Sequence, residues 1–191
     1  MLLLIAGLIL FLGIHSLPMF ADKRSALEEK FGVLGYKGLF AVVSAIGFVM
    51  IIYGYGAARA AGPAIIYDPP FWLRHVTMLF MVPVFIFLVA AYVPCRIKRA
   101  LKHPMLVAVK LWAFSHLLTN GDLASVLLFG SFLVWAVADR ISLKRRGLGG
   151  GAVMAKEPGK FSDIIVILIG LGLYVLFAFK LHVLLIGVPV A

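Results

Sequence analysis

Apolar residues fall into six long runs separated by short polar stretches. The runs cover about 1–20, 36–58, 71–93, 104–120, 122–139 and 161–187. A helix of about 20 apolar residues rises 1.5 Å per residue and crosses the hydrocarbon core of a bilayer. The pattern therefore predicts an all-α fold, a polytopic membrane bundle of about six transmembrane helices. One integral membrane domain would occupy residues 1–191.

The fourth and fifth runs are short and nearly continuous, and "LLTNGDLAS" separates them at residues 117–125. Asn120-Gly121 is a turn dipeptide, and the side chain of Asp122 can cap the next helix. This stretch predicts a tight helical hairpin. His103-Pro104 precedes the fourth run, where proline suits the first position of a helix.

Composition agrees with the membrane assignment. Hydrophobic residues make up 63% of the chain, against roughly 45 to 50% in soluble domains, and the mean hydropathy is +1.09. The single cysteine, Cys95, excludes an intrachain disulfide, a paired-cysteine zinc site and covalent haem attachment. The first run has no basic segment before it and carries Met19 where a signal-peptide cleavage site needs a small residue. We expect it to be retained as a helix.

The net charge of +10 comes from basic residues clustered after the first, third and fifth runs. These are Lys23, Arg24, Lys30, Lys37; Arg96, Lys98, Arg99, Lys102; and Arg140, Lys144, Arg145, Arg146, Lys156, Lys160. Short basic clusters between apolar runs mark the cytoplasmic side of a membrane, so both termini are predicted on the opposite side. The same placement indicates contact with lipid headgroups and excludes nucleic acid as a partner.

Three ionisable residues, His15, Lys110 and His116, are expected well inside predicted spans. Such groups are costly in a membrane and usually face the bundle interior at a functional site. His15 and His116 could meet and clamp a haem through neutral imidazoles, with Trp112 on the same face as His116. The alternative is that each histidine only donates a hydrogen bond between helices. No role follows for Lys110, nor for His75, His103 and His182 near span ends.

Eight glycines within the runs are interpreted as sites of close helix approach, because a residue without a side chain lets two backbones meet. They are Gly7, Gly13, Gly47, Gly54, Gly56, Gly130, Gly170 and Gly172.

Two segments resemble the NnrU family of bacterial membrane proteins. They are "GIHSLP" at residues 13–18 and "HPMLVAVKLWAFSHLLTNGDLASVLLFGSFLVWAVADR" at 103–140, and the likeness covers nearly the whole chain. The resemblance implies a multi-pass protein of the bacterial inner membrane. It also implies a link to nitric oxide and nitrite metabolism in denitrification.

The family includes the plant 15-cis-zeta-carotene isomerase, a haem b enzyme that isomerises one cis double bond of a polyene. The resemblance implies that haem b is held by His15 and His116, which would then be catalytic, with Trp112 beside the cofactor. The plant enzyme has a cysteine three residues before its second histidine, where this chain has Ala113. A cysteine-dependent ligand change is therefore put in doubt here.

Three functions stay open from the sequence. The first is a haem-dependent isomerase acting on a hydrophobic polyene or isoprenoid, in which ferrous iron with one ligand lost lowers the order of a double bond. The second is a non-enzymatic accessory factor for a respiratory nitric oxide or nitrite reductase. The third is a membrane methyltransferase using S-adenosylmethionine, because "RALKHPMLVAVKLWAFSH" is similar to part of the isoprenylcysteine methyltransferases, although Arg99 is displaced from His103.

Overall fold

The computed structural model describes residues 1–148 and 157–190, so Lys156 lies outside the described residues. The described chain is helical, with one isolated antiparallel β-bridge between Ile65 and Asp122. The helices are α1 (Leu2–Ser16), α2 (Ala21–Ala60), α3 (Leu73–Tyr92), α4 (Arg96–Leu101), α5 (Pro104–Leu117), α6 (Leu123–Arg145), α7 (Ser162–Leu176) and α8 (His182–Ile186). A 3₁₀ turn (Leu17–Met19) follows α1, and a π-helical segment (Phe177–Leu181) joins α7 to α8.

Each of the six apolar runs forms a helix, which confirms the all-helical prediction. Five helical stretches are long and apolar enough to cross a membrane: Leu2–Met19, Ala21–Ala60, Leu73–Tyr92, Leu123–Arg145 and Ser162–Ile186. Helix α5 has 14 residues and a length of about 21 Å, which is shorter than a hydrocarbon core of about 30 Å. The number of spans and the side of each terminus stay predictions.

Helix α2 is longer than its apolar run because it begins in the charged segment that follows α1. Gly32 interrupts its helical backbone with φ 70° and ψ 163°. This positive φ favours glycine, which has no Cβ to clash with the neighbouring carbonyl. The kink divides a charged stretch at 21–31 from the apolar stretch at 33–60.

Contacts divide the chain into two compact units, which we describe separately. Unit one comprises Met1–Asp68 and Asn120–Leu143, with α1, α2 and most of α6. Unit two comprises Pro69–Thr119 and Lys144–Ala191, with α3, α4, α5, α7 and α8. His15 thus belongs to unit one, and His116 to unit two.

In unit one, α1 and α2 pack antiparallel through glycines. A Cβ on Gly47 would lie 2.8 Å from the amide nitrogen of Phe11, and one on Gly7 would lie 2.8 Å from that of Ile51. A Cβ on Gly54 would lie closer still to the backbone of Leu4. From Gly47 to Ala58 the buried positions of α2 recur every three or four residues, so one stripe of this part of the helix faces α1.

In unit two, α7 packs on α3 at Gly170, whose Cβ would lie 2.6 Å from the Cα of Ile86. The Tyr174 hydroxyl donates to the Met78 carbonyl at 3.2 Å. Cys95, which is fully buried, caps α4 by accepting the Lys98 amide at 3.3 Å, a role that the sequence did not indicate. This thiol is therefore structural in the described chain.

The packing interpretation of the glycines is correct for half of them. Gly7, Gly47, Gly54 and Gly170 lie against another helix, whereas a Cβ on Gly13, Gly56, Gly130 or Gly172 would meet nothing within 4 Å of the described atoms. The interpretation was wrong for the second group, because open space surrounds these four positions in the described structure.

Candidate functional site

His15 is held by its own helix. Its Nδ1 lies 2.7 Å from the carbonyl oxygen of Phe11, one turn earlier. A carbonyl oxygen can only accept, so Nδ1 carries the proton and donates it. In the neutral imidazole the lone pair is therefore on Nε2.

Aromatic rings surround the His15 imidazole within unit one. The Phe11 ring stacks on it at 4.2 Å between centroids, and the rings of Phe40 and Trp135 meet it edge-on at 5.0 and 6.1 Å. Helices α1, α2 and α6 each supply one of these rings. The imidazole is thus fixed by a hydrogen bond and by packing, in an environment with few competing polar groups.

His116 has the same arrangement in unit two. Its Nδ1 donates to the carbonyl oxygen of Trp112 at 2.9 Å, again one turn earlier in the helix. The Trp112 ring lies 5.5 Å from the imidazole, so the two side chains predicted to share a face do so. Ala113, where the plant isomerase has a cysteine, is fully buried. The neutral form of His116 also has its lone pair on Nε2.

Both histidines lie in the last turn of their helices. Helix α1 ends at Ser16 and α5 at Leu117, before the apolar runs end, and the depth of the two histidines in a membrane stays a prediction. Since His15 and His116 belong to different units, the structure describes each in its own surroundings, and their pairing stays a prediction.

The remaining ionisable candidates have local partners or none. His182 follows the π-helical segment, donates from Nδ1 to the Val188 carbonyl at 2.6 Å, and is near enough to His116 to interact with it electrostatically. His103 bonds through Nε2 to the Leu148 carbonyl at 3.0 Å.

Exposed His75 contacts the Phe71 ring edge-on. Half-buried Lys110 has no hydrogen-bond or ion-pair partner in the described part of the chain, and we have no physical account of it.

The Asn120-Gly121-Asp122 turn forms as predicted. Asp122 caps α6 by accepting the amide of Ser125 at 3.0 Å and its hydroxyl at 2.6 Å, and the Tyr55 hydroxyl then donates to Ser125 at 2.9 Å. The carbonyl of Gly121 accepts the Ile66 amide at 2.8 Å, which fastens the turn to the loop after α2. The cap and the turn are confirmed, while packing of α5 against α6 as a hairpin stays a prediction.

Tyr67 in that loop donates its hydroxyl to the Asn120 carbonyl at 3.0 Å. Burial, and to a smaller extent the charge of Asp122, raise the pKa of Tyr67 above its usual value. The neutral phenol is therefore favoured in the folded protein, in keeping with its role as a donor.

A groove of about 550 Å³ in unit one was not anticipated from the sequence. It runs between the end of α1 and one face of α6, and its lining includes Ser16, Met19, Gly130, Val134 and Trp135. Trp135 also contacts His15, so the groove begins beside that histidine. Only the spacing of small residues along α6 hints at it in the sequence, and that pattern usually indicates helix packing.

Several helices are long and apolar enough to cross a membrane, and two helices carry a histidine whose Nδ1 donates to a backbone carbonyl. These features define a polytopic α-helical membrane protein with candidate metal-ligand histidines. The family model described as "NnrU protein" matches residues 3–190. The chain belongs to the NnrU family. Neither the curated proteins nor the solved structures contain a match to this chain.

Proposed function

We propose that this protein binds haem b in the bacterial inner membrane with His15 and His116 as the iron ligands. One observation carries the proposal, namely the hydrogen bond that both imidazoles donate from Nδ1 to the carbonyl four residues earlier. Histidines that ligate metals usually donate their other ring N–H to a carbonyl or carboxylate, which fixes the tautomer and orients Nε2 toward the metal.

The surroundings of the two histidines also suit the cofactor. Phe11, Phe40 and Trp135 enclose His15, and Trp112 lies beside His116. Haem is held by axial imidazoles in pockets whose polarity and access decide its reactivity. When bound, haem supplies an iron centre whose axial positions can be exchanged and whose oxidation state can change.

The activity that we propose for such a protein is cis–trans isomerisation of a polyene or isoprenoid. Trp112 and Phe114 would contact the apolar chain, since Phe114 is exposed and its ring lies 6.3 Å from that of Phe80. The two histidines would hold the cofactor in a fixed orientation, because each imidazole is restrained by its own helix. Support for this step comes from the family resemblance and from the apolar character of the site.

The test is the haem content of purified variants, measured per protein as the pyridine haemochromogen after expression with ample haem supply. His15→Ala and His116→Ala each remove a proposed ligand, so we expect haem content below about a tenth of the wild-type value. Both variants should still elute as folded protein from gel filtration, because the hydrogen bond that each substitution removes lies within a single helical turn.

The matched controls are His182→Ala and His75→Ala. His182 also donates from Nδ1 to a backbone carbonyl, that of Val188 six residues later, and lies near His116, while His75 is exposed. Both controls should retain haem. If His182→Ala loses haem while His15→Ala keeps it, the ligand pair lies within unit two and the assignment of His15 is wrong.

A further inference from the structure

The connection between α4 and α5 contains a strained residue. The amide of His103 donates to the Leu101 carbonyl at 2.7 Å and closes a turn around Lys102, whose φ is 65° and ψ −48°. These are the angles of the γ-turn with positive φ, which is rare and strained. Among the described residues, Lys102 is the only one other than glycine with a positive φ. Glycine would form this turn without strain from a Cβ, and strain of this kind is typical of functional positions.

Helix α4, which precedes this turn, has an apolar side and a basic side. Ile97 packs against the buried cluster that includes Cys95, so its side of the helix faces the core of unit two. Arg96 and Arg99 are exposed, as is Lys102 just after the helix. We call these three residues the basic face of α4.

Nearby carboxylates neutralise only part of the basic face. The Arg99 guanidinium lies 2.6 Å from a carboxylate oxygen of Glu157, and that of Arg96 lies 4.0 Å from one of Asp163. Both arginine side chains are more than half exposed, so water and salt screen these pairs. The Lys102 side chain has no hydrogen-bond or ion-pair partner in the described part of the chain. The basic face therefore keeps an excess of positive charge.

The basic face lies where the apolar helices of unit two begin or end. Helix α4 contacts α3, α5 and α7, and it follows directly after the end of α3. Tyr92, the last residue of α3, is 79% exposed. Tyrosine is enriched at the level of lipid headgroups, where its ring meets the hydrocarbon and its hydroxyl meets water. Long basic side chains at this level can reach the phosphates of lipids.

We propose that the basic face of α4 binds the headgroup of an anionic phospholipid, and that contact between Lys102 and the lipid phosphate offsets the strain of the turn. Lysine and arginine form charge-assisted hydrogen bonds with phosphate oxygens. Clusters of such residues at the end of a membrane helix are typical of sites for anionic lipids. This site does not depend on haem, so it stands apart from the proposed function.

The first test measures lipid binding. The full chain in dodecylmaltoside would be titrated with phosphatidylglycerol or with zwitterionic phosphatidylcholine, and native mass spectrometry would give the constant of the first binding event. One basic residue near an anionic lipid surface is worth about a fivefold change in binding, so Lys102→Gln should weaken phosphatidylglycerol binding about fivefold. Binding of phosphatidylcholine should stay the same. Lys37→Gln is the matched control, because it removes an exposed lysine from α2 in unit one and should leave both constants unchanged.

The second test separates the strain of the turn from the charge. Lys102→Gly and Lys102→Gln both remove the charge, but only the glycine variant removes the Cβ that strains the turn. In detergent without added lipid, Lys102→Gly should therefore have the higher midpoint of thermal unfolding of the two. Phosphatidylglycerol should raise the midpoint of the wild type more than that of either variant.

Several outcomes would overturn the proposal. They are an unchanged constant for phosphatidylglycerol in Lys102→Gln, an equal loss in Lys37→Gln, and displacement of the lipid by inorganic phosphate, which would mean that the face binds free anions. A lower midpoint for Lys102→Gly than for Lys102→Gln would contradict the strain at this turn. Haem content measured on the same samples separates these tests from the proposed function, because lipid binding is expected in haem-free protein too.

Discussion

At the scale of single residues, the two candidate ligands could be found in the sequence, whereas their orientation could not. A histidine in an apolar run is conspicuous because of its cost in a membrane. Whether its Nδ1 bonds to the preceding turn depends on the rotamer, which neighbouring rings such as Phe11 and Trp112 select. The contact between Trp135 and His15 was missed for a related reason, since an aromatic residue in an apolar run carries no sequence signal of which side chain it will meet.

Asp122 is predicted to stabilise the start of α6 through its side chain. Asp122→Ala removes the acceptor of both the Ser125 amide and the Ser125 hydroxyl, so we expect a loss of about 1 to 2 kcal/mol in unfolding free energy. Asp122→Asn keeps a capping oxygen and should cost less than half as much. Equilibrium unfolding in mixed micelles measures both, and equal losses would show that the charge of Asp122, rather than the cap, is what matters.

At the scale of elements, hydropathy predicted the position of the helix in each apolar run, but it did not predict the residue at which the helix ends. Helix α6 continues to Arg145, beyond the apolar run, because Leu, Lys and Arg are good helix formers outside the membrane as well. Helix α5 stops at Leu117 because the turn at Asn120-Gly121 follows closely. The kink at Gly32 and the short helix α4 were not predicted, since an isolated glycine or a six-residue helix leaves no periodic pattern.

Two glycines of α2 provide a matched test of the α1–α2 packing. Gly47→Ala places a Cβ 2.8 Å from the backbone nitrogen of Phe11, so we expect a loss of about 1 to 3 kcal/mol from overpacking. Gly56→Ala meets nothing within 4 Å and should be neutral or stabilising by up to about 1 kcal/mol, because alanine favours the helix. Thermal unfolding in detergent compares them, and similar stability of the two variants would contradict the packing that we describe.

At the scale of the whole molecule, the sequence predicts an orientation that charge alone determines. The basic clusters after the first, third and fifth apolar runs predict that those connections lie in the cytoplasm and both termini outside it. Reporter proteins fused to the C-terminus show on which side of the membrane it lies. Alkaline phosphatase, which is active outside the cytoplasm, should be active there, and green fluorescent protein should be dark. The reverse result would place the C-terminus in the cytoplasm and contradict the predicted orientation.

The central claim is that this NnrU family protein is a haem protein with two histidine ligands. The most direct measurement is the visible absorption spectrum of the full chain, purified in detergent after expression with ample haem supply, in its oxidised and reduced forms. We expect a Soret band that sharpens on reduction together with the α and β bands of low-spin, six-coordinate iron. A spectrum without a Soret band in well-folded protein would contradict the claim.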